Sequence, residues 1–306
     1  MKWNKRGHVY APDGNLWWAK AYAFPPTPYL LSDEVIRIFI GSCDEDTVGR
    51  IGYVDVAAAN PLEIVGLARE PLLDIGRPGT FDDNGILPTS VIDAGDRLLM
   101  YYVGYQLGHR IKYFQFTGLA ESTDGGESFH RVQETPVTDR SDHELVNRTS
   151  AFVELFEDRF RMWYVGGSEW TVVAGKPLPV YKLRYMESND GIHWPAEGRI
   201  VLDFVDDDEH AFGRPWVVRR RGEPTRMLYS VRRRSNDYRI GLAESDDEVI
   251  WTRRDDAVGI TVSDAGWDSE MVAYTSVLTW RDQTYLFYCG NERGKTGFGY
   301  AELEEW

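Results

Sequence analysis

One phrase returns along this chain, and it limits the possible folds more than any other feature. It reads Leu98-Leu99-Met100-Tyr101-Tyr102-Val103-Gly104, then Phe160-Arg161-Met162-Trp163-Tyr164-Val165-Gly166. It comes back as Thr225-Arg226-Met227-Leu228-Tyr229-Ser230 and as Thr284-Tyr285-Leu286-Phe287-Tyr288-Cys289-Gly290, with a weaker copy at Ile36-Arg37-Ile38-Phe39-Ile40-Gly41. Each copy is a short run of aromatic and aliphatic residues, which reads as a buried β-strand. A second phrase follows the middle copies: Gly118-Leu119-Ala120-Glu121-Ser122-Thr123-Asp124-Gly125 before Phe129, Tyr185-Met186-Glu187-Ser188-Asn189-Asp190-Gly191 before Trp194, and Gly241-Leu242-Ala243-Glu244-Ser245-Asp246-Asp247 before Trp251. A strand, an Asp/Asn/Gly turn and an aromatic on the return make a hairpin. A third phrase precedes the first one. It begins at Leu87 (Leu-Pro-Thr-Ser-Val), Arg148 (Arg-Thr-Ser-Ala-Phe), Arg214 (Arg-Pro-Trp-Val-Val) and Tyr274 (Tyr-Thr-Ser-Val-Leu), with a looser version at Pro25 to Tyr29. The four starts are spaced 61, 66 and 60 residues apart.

Four strands in each unit of about 60 residues, five times over, predict an all-β chain, a five-bladed β-propeller running over 1-306 as a single domain. The fifth copy, Gly299-Tyr300-Ala301-Glu302-Leu303, stops short of an outer strand. The N-terminal Lys2-Trp3-Asn4-Lys5-Arg6 is similar to Ile250-Trp251-Thr252-Arg253-Arg254 and is expected to supply the missing one, closing the ring and hiding an open sheet edge. Composition agrees with strands rather than helices, since 13% of the residues are aromatic and 29 glycines punctuate the runs.

Charge and cysteine usage exclude several functions. With 34 basic and 49 acidic residues the net charge is 34 − 49 = −15, which argues against a nucleic-acid partner. No apolar run approaches the roughly 20 residues that span a bilayer, and no apolar stretch follows the basic N-terminal residues. The expectation is a cytoplasmic protein with no membrane partner. Cys43 and Cys289 make no disulfide framework and read as buried thiols; no Cys/His spacing fits a metal site, and no cofactor motif is present.

The Pro-containing inner phrase, the (Met/Leu)-x-Tyr second strand and the Ser-x-Asp hairpin together resemble the five-bladed glycoside hydrolases of families 43 and 32, and the related family 130. The resemblance covers nearly the whole chain and implies a carbohydrate ligand, with inner-strand carboxylates gathered at the mouth of an axial funnel. In families 43 and 32 those acids stand one or two residues before an inner-strand proline. Here Thr27, Leu87 and Arg148 occupy the corresponding place in the first three copies, and Gly213-Arg214 in the fourth, so the usual catalytic acids are missing.

A substitute set lies four or five residues upstream of the third phrase: Asp82-Asp83-Asn84, His143-Glu144, Glu209-His210 and Ser269-Glu270. Equivalent positions on inner strands are expected to meet at one mouth of the channel. Cleaving a glycosidic bond takes one carboxylic acid and one carboxylate, and clustered acids raise each other's pKa. Asp83, Glu144 and Glu270 are therefore the candidate catalytic acids. Glu209, His210, Asn84 and Tyr274 are candidate substrate contacts. Arg148 and Arg214 form a candidate guanidinium clamp for an anionic sugar, and Trp18 is a candidate sugar platform beside Trp17 and Trp170. Because side chains at i and i+4 of an extended strand stand about 13 Å apart, Glu144 and Arg148 are not expected to touch, which leaves Glu144 free as proton donor. The segment Gly167 to Val180 reads as a long loop able to act as a lid. Two functions fit: an enzyme cleaving or transferring a glycosyl group, or a carbohydrate-binding protein in which the acids and arginines only lock neighbouring blades together.

Overall fold

The structure, a computed structural model, describes residues 1–306 and is almost entirely β. The only helical segments are short turns at Asp255–Ala257 and Asn291–Gly294. No helix is long and apolar enough to cross a membrane.

The chain forms two compact units. Unit 1 comprises Met1–Asp74, Trp216–Ser230 and Tyr238–Trp306; unit 2 comprises Ile75–Pro215 and Val231–Asp237. In unit 1, β1 is Lys2–Tyr10 and β2 to β5 are Ala21–Leu30, Val35–Cys43, Gly49–Ala57 and Asn60–Leu67, an antiparallel sheet in the order β2-β3-β4-β5. In unit 2, β6 to β9 are Ile86–Asp93, Leu98–Leu107, Tyr113–Ser122 and His130–Arg131, and β10 to β13 are Asn147–Phe156, Arg159–Val173, Lys176–Ser188 and Arg199–Leu202. Each set pairs antiparallel in sequence order. A short parallel pairing joins β10 to β8 through Asn147↔Gln115 and Arg148↔Phe116. The strands β14 (Glu209–Val218) and β15 (Thr225–Arg233) carry residues of both units. Unit 1 then continues with β16 (Arg239–Ser245), β17 (Thr252–Arg253), β18 (Ala273–Trp280), β19 (Gln283–Cys289) and β20 (Phe298–Glu305).

All five copies of the first phrase are strands, namely β3, β7, β11, β15 and β19. The N-terminal segment pairs antiparallel with β20, Trp3 opposite Leu303 and Lys5 opposite Ala301, so strands from both ends of the sequence complete one four-stranded sheet. The cores of both units are built from the repeated phrases. In unit 2, Tyr101, Leu119, Ala151, Met162, Tyr164 and Met186 pack together; in unit 1, Leu228, Leu242, Val272, Leu286 and Tyr288 do the same. Cys43 and Cys289 are both free and buried, and burial pushes the Cys43 thiol up to about 12.

The Ser-x-Asp phrase is a turn device. Asp124 accepts the backbone N–H groups of Glu127 and Ser128, Asp190 those of Ile192 and His193, and Asp247 those of Val249 and Ile250. The following tryptophans close the turns, Trp194 Nε1 donating to the Gly191 carbonyl and Trp251 Nε1 to that of Glu248. The strands β6, β10 and β18, which carry the third phrase, are each interrupted by a register shift, near Pro88, Thr149 and Ala273. Such bulges kink a strand and re-aim its side chains.

One expectation is overturned. The stretch Gly167 to Val180 is not a loop: β11 and β12 pair continuously from Glu169↔Val180 to Val173↔Lys176. Ala174 and Gly175 both take positive φ, 48° and 76°, the geometry of a two-residue turn whose twist matches the strands it joins. The Thr171-Val172-Val173 run supplies the β propensity that a loop would lack.

Candidate functional site

The acids fall into local clusters set by the tyrosine of the first phrase. In unit 2, Tyr102 Oη donates to Asp82 at 3.0 Å, with Arg131 Nε 2.7 Å from the same carboxylate oxygen. Tyr164 Oη donates to both oxygens of Glu144, at 2.7 and 2.9 Å. In unit 1, Tyr229 donates to Asp255 and Tyr288 to Asp268, which also takes Lys5 Nζ at 2.7 Å. The ladder explains why the phrase ends in tyrosine, since β8 places Gly118 opposite Tyr102 and β20 places Gly299 opposite Tyr288. A Cβ on Gly118 would stand 2.2 Å from the Tyr102 ring. Burial, reinforced by the adjacent carboxylates, pushes all four phenols well above their ordinary value, so they act as neutral donors. For Asp268, burial would raise the carboxyl, but hydrogen bonds from Lys5, Ser263 and Tyr288 outweigh it and hold the group below its ordinary range.

This pattern corrects the expected acidic ring. In place of Asp83 and Glu270, the deeply buried carboxylates are Asp82 and Asp268, one and two residues away. Asp83 is half-buried and accepts the Gly79 N–H at 2.8 Å; the neighbouring Asn84 is half-buried too and donates its N–H to the Tyr105 carbonyl. Glu270, in unit 1, is exposed, its backbone held by Asn291 and Arg239.

Glu144 departs furthest from expectation. It is fully buried, and Arg148 Nε lies 2.5 Å and Arg184 Nε 3.0 Å from its carboxylate. The 13 Å separation assumed an extended chain, but Glu144 precedes β10 and sits in a turn where its N–H meets the Ser141 carbonyl. Arg148 spends its remaining donors on the carbonyls of Asp139 and Pro195. Arg214 is buried, has a φ of 28° and donates to the Thr89 carbonyl. Neither arginine lines the cavity described next. Trp18 is no platform: it is 2% exposed, donates to the Arg69 carbonyl, and lies over Gly52, where a Cβ would come within 2.1 Å of its ring. Tyr274, also in unit 1, packs between Phe24 and Tyr238.

The structure does bring Glu209 and His210 into a cavity. It lies in unit 2, holds about 840 Å³, and runs along β11 and β12 to the start of β14. That is the size of a small-ligand site. Its walls include Trp170, Lys182, Arg184, Arg234 and Phe204. Trp170 meets Tyr113 edge-on at 5.5 Å. Lys182 reaches Asp203 at 2.8 Å, and Arg234 spans from the Asp207 carbonyl to Thr171 Oγ1. Glu209 takes Arg233 at 2.9 Å and the Val205 N–H. His210 Nδ1 lies 3.4 Å from the Pro179 carbonyl; burial, then Arg232 and Arg234, push this imidazole below its ordinary value. No group of three or more His, Cys, Asp or Glu side chains gathers in a way that would hold a metal ion.

Sequence reading missed Lys182, Arg184 and Arg234 as wall residues. For Arg184 a signal existed. It stands opposite Tyr164, where the other copies put Gly118 and Gly299, and that break in the repeat sends a guanidinium toward Glu144.

No family model matches the chain. Over 304 residues it is 34% identical to Uncharacterized protein Rv1502 of Mycobacterium tuberculosis (strain ATCC 25618 / H37Rv), covering 99% of this chain and 100% of that one. The chain belongs to the Rv1502 family. The same identity and coverage relate it to Uncharacterized protein MT1551 of strain CDC 1551 / Oshkosh. Among solved structures, one described as a glycoside hydrolase matches with a TM-score of 0.74 at 19% identity, over 98% of this chain and 90% of its own. A structure reported for the GH130 family of mannoside phosphorylases, which contains glycoside hydrolases that target β-1,2 mannosidic linkages in Candida mannan, matches at 0.72 and 14%, over 98% and 93%. A thermostable family-43 glycoside hydrolase matches at 0.69 and 16%, over 94% and 90%. This member of the Rv1502 family thus has a glycoside hydrolase-like fold of the propeller type, and at these identities the likeness is one of fold.

Proposed function

We propose that the chain binds a saccharide in the unit 2 cavity and that its five groups of strands are the blades of one propeller domain, with β1 completing the last. The observation that carries the functional reading is the cavity wall itself, where the half-buried Trp170 stands beside Lys182, Arg234, Glu209 and His210. An aromatic face with polar groups around it is the chemistry of sugar recognition. The fold supports the same substrate class.

Glycosyl cleavage or transfer is the second reading, favoured by the acidic groups at the cavity, Glu169, Asp206 and Asp207, and by Asp83, whose carboxylate is only half-buried. Against turnover by Glu144 stands its full set of ties to Tyr164, Arg148 and Arg184. An anionic sugar no longer needs the Arg148–Arg214 clamp; Lys182 and Arg234 are the cations left to meet one.

The test is a titration calorimetry panel of methyl hexosides and hexuronates, with nitrophenyl glycosides followed for release with and without phosphate. Saccharide binding without release supports the first reading. Release supports the second. A protein that binds no saccharide in the panel sinks both.

A further inference from the structure

Apart from Arg184 Nε, which stands 3.0 Å from the Glu144 carboxylate, two buried polar atoms of the cavity-lining residues have no partner. Trp170 Nε1 and His210 Nε2 are both shut from solvent and make no hydrogen bond. Buried polar groups are nearly always satisfied, so an orphan among cavity-lining residues calls for an explanation. These two are complementary in kind. An indole N–H only donates. His210 Nδ1 faces the Pro179 carbonyl, which only accepts, so the proton sits on Nδ1 and Nε2 presents a lone pair. Burial and the charges of Arg232 and Arg234 keep the ring neutral. The two residues also share a support: Pro179 is the cross-strand partner of Trp170 in the β11–β12 ribbon. The position of the ribbon therefore sets the indole and the imidazole tautomer together.

We propose that Trp170 and His210 are a donor–acceptor pair that reads two hydroxyl groups of one sugar ring, one accepting from the indole and the other donating to the imidazole. The proposal rests on the saccharide reading of the cavity and names the groups by which it selects. Since both atoms are closed off in this arrangement, the ligand reaches them when the end of the ribbon lifts. The clasp that holds it is Arg234, which joins Thr171 on β11 to the Asp207 carbonyl across the cavity. A sugar lacking either hydroxyl leaves one atom unpaired, the situation in which a site discriminates most strongly.

The experiment uses the full chain, titrated with the methyl hexosides and hexuronates of the panel and the monodeoxy form of each sugar that binds. Trp170→Phe keeps the aromatic face and removes the donor; it should weaken binding about tenfold, and His210→Phe by a similar factor. One monodeoxy sugar should lose affinity for the wild type but not for Trp170→Phe. If His210→Phe fails to fold, the 15N shifts of the wild-type His210 ring decide that half: Nδ1 protonated in the free protein, with Nε2 shifting when sugar binds. Undiminished binding by Trp170→Phe, or an unmoved Nε2 signal at saturation, overturns the pair while leaving the saccharide reading intact. A wild type that binds no saccharide refutes that reading itself.

Discussion

Glu144 decides between scaffold and catalyst, because Glu144→Gln changes its charge and almost nothing of its shape. In the structure the carboxylate is 0% exposed, accepts the Tyr164 hydroxyl and stands within ion-pair distance of both Arg148 Nε and Arg184 Nε. Both guanidinium groups are themselves buried, at 3% and 8% exposure. Breaking a buried ion pair from one side costs about 3–5 kcal/mol, because the remaining charge is left uncompensated. Arg148 retains two carbonyls and Arg184 retains Glu197 and the Gly198 carbonyl, so the lower end, about 3 kcal/mol, applies. For a chain this long that lowers the melting temperature by about 5 °C. Tyr164→Phe removes one neutral donor to Glu144 and the acceptor of the Gly198 N–H, and should cost about 2 kcal/mol. Since both changes act on one cluster, the double variant should cost less than their sum. Scanning calorimetry measures all three. If Glu144→Gln melted with the wild type yet lost turnover of a confirmed glycoside, the scaffold reasoning would be refuted and the proton-donor role restored.

Two further predictions concern the repeat itself. Gly118→Ala should cost about 2–3 kcal/mol by driving a methyl into the Tyr102 ring. Gly125→Ala, at a φ of 77° with open space around it, should cost only about 1 kcal/mol of backbone strain, and urea midpoints in the opposite order would contradict the packing argument. Asp190 is held below its ordinary value by the N–H and ring of His193 and the N–H of Ile192, and Asp247 by the N–H groups of Ile250 and Val249. A depressed folded pKa gives stability that is complete above the ordinary carboxylate value of 3.8 and lost as pH falls through the folded value, so Asp190→Asn and Asp247→Asn should flatten the acid limb of the melting curve. An unchanged slope below about pH 4 would show that these turns do not carry the acid sensitivity.

The strand phrases were legible because their signal is local. Met100, Tyr101 and Tyr102 are buried on an extended strand whatever surrounds them, and Ser122, Asp124 and Phe129 form a turn within one hairpin. What depends on the path between strands was not legible. Counting back four residues from Arg148 assumes an extended chain, but at Glu144 the chain turns, and a gap of about thirteen ångströms became a contact. The same assumption points to Asp83 and Glu270 where the buried acids are Asp82 and Asp268. Trp18 looked like an exposed loop aromatic because nothing local reveals that Gly52, far along the chain, leaves room for its ring. The ribbon of β11 and β12 was hidden because Gly167, Gly175 and two prolines read as breakers, whereas a β-hairpin tolerates them at its turn and edge.

The pairing of β1 with β20 sets an order of events during synthesis. Trp3 leaves the ribosome about 300 residues ahead of Leu303, its partner. Every other four-strand group can form from neighbours already made. Until β20 is made, β1 therefore carries unpaired N–H and C=O groups, the kind of edge that captures strands from other chains. Its alternating exposed and buried pattern, with Lys2, Lys5 and Arg6 among the first residues, is what such a waiting strand needs: charge enough to stay single until its own partner arrives.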